Sequence, residues 1–311
     1  MYELMEPATP RHVLIAVNRK AGDGRKAARV EALRAALTTQ GCTATVVEHL
    51  GEAMARATGE FREGGLHAVV CAGGDGTMNA MLNGTPSGTP LAVFPCGTEN
   101  LLARHLRLPH DPAEAAAVVA MGRRQTFDVG RVGERLFLLT LSVGFDAAVV
   151  HRLHDVRAGN IKHLSYIGPI ARVWREYAYP ELRVTVEGID ESALRPPPSP
   201  FSCRWCFVQN LPAYAMRLNF TPQARGDDGL LDYCLFQQGG AWSGVRHLWN
   251  VARGAHHRLP DTHVGRTLQL RIDTVDPALA ADVPVQVDGD PAGSLPITVE
   301  TLPGYAALIV P

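Results

Sequence analysis

The sequence is short of several things that would have narrowed its function at once. It has almost no excess charge: 30 Lys and Arg stand against 31 Asp and Glu, for a formal net charge of -1. Nucleic acid therefore has no global electrostatic pull to exploit, and no nucleic-acid partner is expected. No apolar run is long enough to span a bilayer, and the N-terminus shows no signal-peptide core, which leaves a soluble or membrane-peripheral protein. Cysteine is sparse. The six residues Cys42, Cys71, Cys96, Cys203, Cys206 and Cys234 are scattered as in proteins of a reducing compartment, without the spacing of a disulfide framework. Cys203 and Cys206 form a CxxC, but with no second pair or nearby histidine to complete a zinc site they read as buried structural thiols. Neither a GxxxxGK[ST] loop nor a spaced GxGxxG occurs.

What is present is a change of grammar near the middle of 311 residues, a length that favours two domains. Over the first 130 residues, short apolar runs alternate with helical patterns. HVLIAVN (12–18), TATVVE (43–48), HAVVCA (67–72), PLAVFPCG (90–97) and QTFDVGRV (125–132) read as strands. GRKAARVEALRAALTTQG (24–41) carries Val30, Leu33 and Leu37 at helical spacing. TMNAMLNG (77–84) and TENLLARHL (98–106) read as helices, the second with Thr98 as N-cap. DPAEAAAVVAMG has Asp111 as N-cap, Pro112 at N1 and Gly122 at its end. Such alternation predicts a parallel sheet covered on both faces.

From about residue 135, strand-like runs dominate (RLFLLTLSVG, ELRVTVEG, FSCRWCFVQN, LLDYCLF, TLQLRI, VPVQVDG, PITVE, AALIVP). Two helix-like stretches, 160–178 and 241–254, interrupt them, and RPPPSP (195–200) reads as a rigid loop. The fold expected is an N-terminal parallel α/β domain followed by a C-terminal β-rich antiparallel sandwich. The boundaries are 1–133 and 134–303, with the last strand, 304–311, a candidate to return to the first domain.

Three glycine-bearing turns fall at the carboxyl ends of strands: NRKAGDG (18–24), GGDGT (73–77) and PCGTEN (95–100). Ligands of open parallel sheets bind at such ends. Glycines there let backbone N–H groups approach a phosphate. Asp75 is the odd residue, because a carboxylate repels polyphosphate unless a cation or a transferable proton compensates. It fits Mg²⁺ handling or deprotonation of a hydroxyl; an Asx-type turn is the plainer reading.

GGDGT with an N-terminal NxxxG turn and PxGTxN resembles the diacylglycerol kinase catalytic domain family, which includes bacterial lipid kinases and sphingosine kinases. SVGFDAAVV (142–150), ARGDDGLLD (224–232) and VQVDGD (285–290) extend the resemblance over nearly the whole chain. It implies an ATP- and Mg²⁺-dependent lipid kinase that phosphorylates a hydroxyl of diacylglycerol, a sphingoid base or a related lipid. It also implies a cytoplasmic protein peripherally associated with a membrane, its homodimerisation left open.

Carried over from the family, Asn18, Gly22, Gly73, Gly74, Gly76, Thr77, Gly97, Thr98 and Asn100 line the nucleotide site. Asp128 lies near the nucleotide and metal. Asp228 binds metal with the carbonyls of Arg225 and Leu230. Asp75 serves metal and phosphates, and Asp288 is the base; read without the family, Asp288–Gly289 is a hairpin turn. Asp146 contacts the lipid headgroup or caps a helix starting at Ala147. Two departures stand out: Leu101 occupies a position that is often aspartate, and Asp290 one that is usually glutamate. A soluble-substrate kinase of the NAD kinase type, or a relative that binds without transfer, are the alternatives. The basic, aromatic stretch 151–177 reads first as a solvated helix face over a core and second as a membrane contact. RGAHHRLPDTH (253–263) reads as a surface loop.

Overall fold

The computed structural model describes residues 11–18, 24–156, 167–189 and 200–311. Gly22, residues 157–166 of the basic stretch and nearly all of RPPPSP lie outside them. The chain divides into two compact units, Met1–Phe127 with Tyr305–Pro311, and Asp128–Gly304.

In the first unit, strands β1 (Arg11–Val17), β2 (Cys42–Val47), β3 (Leu66–Gly73) and β4 (Pro90–Pro95) pair in parallel in the order β4-β3-β1-β2. The end of a long strand, β15 (Ile297–Ile309), adds to β4 with Ala307 opposite Pro90. PITVE and AALIVP, read as two strands, are this single one. Alternate side chains Val13, Ile15, Val70 and Phe94 pack with Leu33 and Leu37 of α1 (Gly24–Thr39) and with Ala116 and Val119 of α5 (Pro112–Met121). The intervening Leu14, Val69 and Cys71 are equally buried, so both sheet faces are covered, as the unbroken apolar runs require. Each large side chain so buried contributes about 1.5–3 kcal/mol.

The Asp111 cap is present: its carboxylate accepts from Ala113 N and Glu114 N at 2.9 and 3.1 Å, and Gly122 closes the helix at φ 64°. Helix α2 (Leu50–Arg62) had no signal strong enough to be read, since its pattern is mostly alanine and charge. Helix α3 (Asp75–Gly84) starts two residues before the expected Thr77.

The second unit is antiparallel. Strands β7 (Thr140–Gly144), β10 (Trp205–Gln209), β11 (Leu231–Phe236) and β12 (Thr262–Thr274) run side by side, with β13 (Pro284–Val287) and β14 (Asp290–Ser294) beyond β7 and β8 (Leu182–Ile189) on β12. Period-two alternation gives this sheet two cores. Cys206, Val208, Tyr233 and Leu235 face an aliphatic one, while Trp205, Phe207, Cys234 and Phe236 face an aromatic one. Cys203 and Cys206 are free, buried thiols, as the CxxC was read.

Helix α6 (Phe145–Val156) follows β7, and α7 (Ile167–Glu176) is the next described element. Val173, Trp174 and Tyr177 pack on the aromatic core while Arg172 and Arg175 face solvent. The described part of the basic stretch is therefore a solvated face over a core. RLFLLTLSVG is not one strand: it breaks between β6 (Arg135–Phe137) and β7, where Leu138, Leu139 and Thr140 give their N–H groups to a side chain. The histidine-rich stretch is a surface loop only in part. His257 and Arg258 are exposed, but His256 is fully buried with Nε2 at 2.8 Å from the Phe220 carbonyl. A helix α8 (Ala241–Ala252) precedes it. Among the described residues no helix is long and apolar enough to cross a membrane.

Candidate functional site

In the first unit, two of the glycine-rich turns are fastened to each other. β3 ends at Gly73, β4 at Pro95, and the Cys96 N–H bonds the Gly73 carbonyl at 3.0 Å. Asp75, in the first turn of α3, accepts the N–H groups of Leu101 and Leu102 at 2.9 and 3.0 Å. The expected Thr98 cap is thus corrected. α4 (Leu101–His105) begins three residues later, and a carboxylate from the other turn satisfies its first donors.

Asn100, buried and left-handed at φ 47°, closes PCGTEN on itself: its Oδ1 accepts from Gly97 N and its Nδ2 donates to Gly97 O. The turns come so close that a Cβ on Gly97 would stand 2.5 Å from the Gly74 Cα, and one on Gly73 2.2 Å from Thr77 Oγ1. Those glycines are required by the chain itself. Gly76 is different. It is exposed, and a Cβ there would meet nothing within 4 Å. Leu101 supplies its backbone to Asp75, so the departure at this position leaves the fastening intact.

Thr98 is exposed, and Asn18 is half-buried with its carbonyl accepting from Lys26 Nζ at 3.0 Å. Lys26 was missed. Its burial lowers its pKa, against a raising influence of Cys96, so a cationic group lies near the PCGTEN turn. Its signal, one lysine early in a basic helix, was lost among neighbouring arginines.

In the second unit, Asp128 does structural work. Its carboxylate accepts from Gly229 N at 2.6 Å and Gly304 N at 2.7 Å, its N–H bonds Gly226 O, and its carbonyl accepts from Asn210 Nδ2. It is 3% exposed. It thus clamps the turn that carries Asp228. Asp228 accepts from Leu230 N at 3.2 Å and pairs with Arg266 at 3.3 Å. The Arg225 side chain is exposed and reaches Asp227.

Beside them lies Asp232, the last residue of ARGDDGLLD and one that the sequence does not single out. It stands on β11 between Gln209 and Arg266 of the neighbouring strands. It is 2% exposed, and its Oδ2 has no hydrogen-bond partner among the described residues. Burial, then the neighbouring Asp228 charge, raise its pKa to about 7, against the lowering influence of Arg266. Because this pKa is higher in the folded than in the unfolded chain, the stabilisation is complete below the ordinary carboxyl range and is lost as pH rises through about 7. The native protein is therefore expected to lose on the order of 3 kcal/mol relative to Asp232→Asn between about pH 5 and about pH 8. Urea unfolding of both proteins at several pH values measures this, and a constant difference between them would contradict it.

Asp288 lies in the turn after β13, beside the start of β7, and Asp146 in the helix that follows β7. Asp288 (φ 47°) and Gly289 (φ 84°) form the tight turn between β13 and β14, so the hairpin reading of DG holds. The Asp288 carboxylate also accepts three backbone N–H groups, from Leu138, Leu139 and Thr140 at 2.8–3.0 Å. Asp146 is the second residue of α6, not the cap of a helix starting at Ala147. Its partners are side chains: Ser142 Oγ and Tyr214 OH at 2.5 Å and Gln286 Nε2 at 3.4 Å. Burial raises its pKa despite these three bonds, which lower it. Gln286 links Asp146 to the turn that carries Asp288, since its Oε1 accepts from Gly289 N at 2.9 Å. A glutamine between two valines on a strand was the available signal, because such a buried polar group must be satisfied from its surroundings. Asp290 pairs loosely with Arg135 at 3.9 Å.

Comparison with known proteins agrees with this anatomy. Residues 12–132 match the model of the diacylglycerol kinase catalytic domain, and residues 140–310 match that of the YegS C-terminal NAD kinase beta sandwich-like domain. A diacylglycerol kinase of Mycobacterium tuberculosis (strain CDC 1551 / Oshkosh) is 28% identical over 254 residues, covering 79% of this chain and 78% of the relative. The crystal structure of a diacylglycerol kinase from Bacillus anthracis str. Sterne superposes with a TM-score of 0.68 at 18% identity, over 98% of both chains. An NAD kinase from Archaeoglobus fulgidus in complex with ATP gives a TM-score of 0.50 at 15% identity, covering 96% of this chain and 93% of that one. The last two establish the fold. With a parallel α/β unit, an antiparallel β sandwich and both family models matched in order, the chain belongs to the diacylglycerol kinase catalytic domain family, in the form that carries a YegS-type C-terminal domain.

Proposed function

We propose that this protein is an ATP- and Mg²⁺-dependent kinase that transfers the γ-phosphate to a hydroxyl of a lipid: diacylglycerol, a sphingoid base or a related lipid. The observation that carries the reading is the pair of fastened turns in the first unit. Asp75 and Asn100 fix two glycine-rich strand ends at a separation only glycine permits, while a Cβ on Gly76 would point into open space. A rigid loop with one unobstructed glycine is what close approach of a phosphate needs. Lys26 is a further candidate to meet the phosphates, since a buried ammonium gains from an anionic partner.

The carboxylates of the second unit fit a divalent cation. Among the described residues no group of three or more His, Cys, Asp or Glu side chains forms a ready cage. Mg²⁺, however, is usually held by one or two carboxylates together with phosphates and water. Asp228 and Asp232 are such a pair, and the Oδ2 of Asp232, without a hydrogen-bond partner among the described residues, is open to a cation. When bound, the cation supplies neutralisation of phosphate charge. The chain's own residues do the rest: Asp128 holds the turn bearing Asp228, the fastened turns are the candidate to orient phosphate, and Asp288, held by three N–H groups, is the candidate to accept the hydroxyl proton.

The test is transfer from radiolabelled ATP to diacylglycerol, to a sphingoid base and to NAD, each with Mg²⁺ and with chelator. Label in a lipid only when Mg²⁺ is present supports the proposal. Label in NAD points to a soluble-substrate kinase. ATP binding with no transfer points to a relative that binds without reacting.

A further inference from the structure

Helix α8 buries one side and leaves the other bare in an unusual way. Gly244, His247 and Val251 face the protein, with His247 stacked on Phe236. Trp242, Val245 and Trp249 follow the i, i+3, i+7 spacing of the opposite side, 86%, 52% and 63% exposed. Two tryptophans this bare on one stripe are not accounted for by the aromatic core, which is filled by Phe145, Trp205, Phe207, Phe220 and Phe236. Arg253, one turn beyond Trp249, continues the stripe, with its guanidinium 5.7 Å from the Trp249 ring.

Charge identifies what such a stripe fits. Between Asp232 and Asp261 the sequence has no acidic residue at all, but holds Arg246, Arg253 and Arg258. Arg246 is committed to Asp261. Arg253 and Arg258 are exposed, with no ion pair among the described residues. Indole rings prefer the headgroup level of a bilayer, and arginines beside them favour anionic lipid. A second copy of this chain fits less well, because an isologous contact would lay two acid-free, arginine-bearing patches against each other.

We infer that the Trp242–Val245–Trp249 face of α8, flanked by Arg253 and Arg258, docks on the surface of an anionic lipid bilayer. This deepens the lipid kinase reading and rests on it for its purpose, since a membrane-embedded substrate would require such a landing face.

The test uses the full chain in flotation with vesicles of phosphatidylcholine alone or mixed with phosphatidylglycerol. Flotation with the anionic vesicles, accompanied by a blue shift of tryptophan emission, is expected. Replacing both exposed tryptophans (Trp242→Ala with Trp249→Ala) should lower partitioning by about tenfold or more, and Arg253→Glu should lower it on anionic vesicles by about fivefold or more. Both variants change exposed side chains, and circular dichroism checks their fold. Failure of the native chain to float, or flotation that neither variant weakens, would overturn the inference. So would light scattering that shows a native dimer split by the tryptophan changes, because a second copy would then cover the face. The same samples are assayed with a short-chain, water-soluble diacylglycerol. Transfer retained by a non-floating variant supports docking. Flotation without transfer to any acceptor counts against the kinase reading alone.

Discussion

Replacing Asp128 with alanine is expected to lower the unfolding free energy by about 3 kcal/mol, within a range of about 2–5. The carboxylate is almost wholly withdrawn from water and is the acceptor for two backbone N–H groups that come from distant parts of the chain, Gly229 and Gly304. Removing it leaves the Gly229 donor short of a partner and opens the turn that Leu230 and Asp228 share. Asparagine should fall between alanine and the native residue, since its one oxygen satisfies one donor while its NH2 group faces the other. Urea midpoints of the three proteins measure the order. Cation affinity, followed by Mg²⁺-induced protection against unfolding, should fall in the same order, because the Asp228 turn is held by this clamp. An alanine variant within about 0.5 kcal/mol of the native protein would show that the clamp carries no load.

The family resemblance places Asp128 near nucleotide and metal; the hydrogen bonds add a task of their own, the clamp on the Asp228 turn. That addition illustrates what the sequence could and could not say. Elements with one buried side and explicit punctuation were legible: the Asp111–Gly122 helix, the apolar strands around the parallel sheet, and the alternating FSCRWCFVQN, although Arg204 interrupts it. Elements defined by partners far along the chain were not. The break in RLFLLTLSVG is made by Asp288, about 150 residues later, and the start of α4 by Asp75 in another turn. Thr98 was a sound local cap that lost to a carboxylate supplied from elsewhere. Asp232 and Gln286 could not be singled out because a polar residue on a strand is ordinary until its burial is known. The glycines, by contrast, were visible but undivided. Only the close approach of the two turns separates Gly73 and Gly97, which the backbone demands, from Gly76, which it does not.

Asp288→Asn is expected to reduce phosphate transfer by about 10²–10⁴-fold, the range for loss of a positioned general base. Asparagine is the right replacement for a backbone reason as well as a chemical one. Residue 288 sits at φ 47°, in the left-handed region that asparagine tolerates and most other side chains do not, so the turn into Gly289 should survive. The structure adds a cost that a purely chemical reading omits. Oδ1 of Asp288 accepts from Leu139 and Thr140, and Oδ2 from Leu138. The amide can keep its oxygen on the two-donor side, but its NH2 then faces the Leu138 N–H, for a stability loss of about 1–3 kcal/mol. The experiment must therefore read three quantities from one preparation: transfer rate, ATP affinity and urea midpoint. A large loss of rate with ATP affinity kept and a midpoint change of that modest size assigns the proton to Asp288. Loss of ATP affinity together with rate would make the residue a structural tie between the β13–β14 turn and the start of β7. Transfer within about threefold of native, a free-energy difference below 1 kcal/mol, would remove Asp288 from the chemistry and leave its three N–H bonds as its whole function.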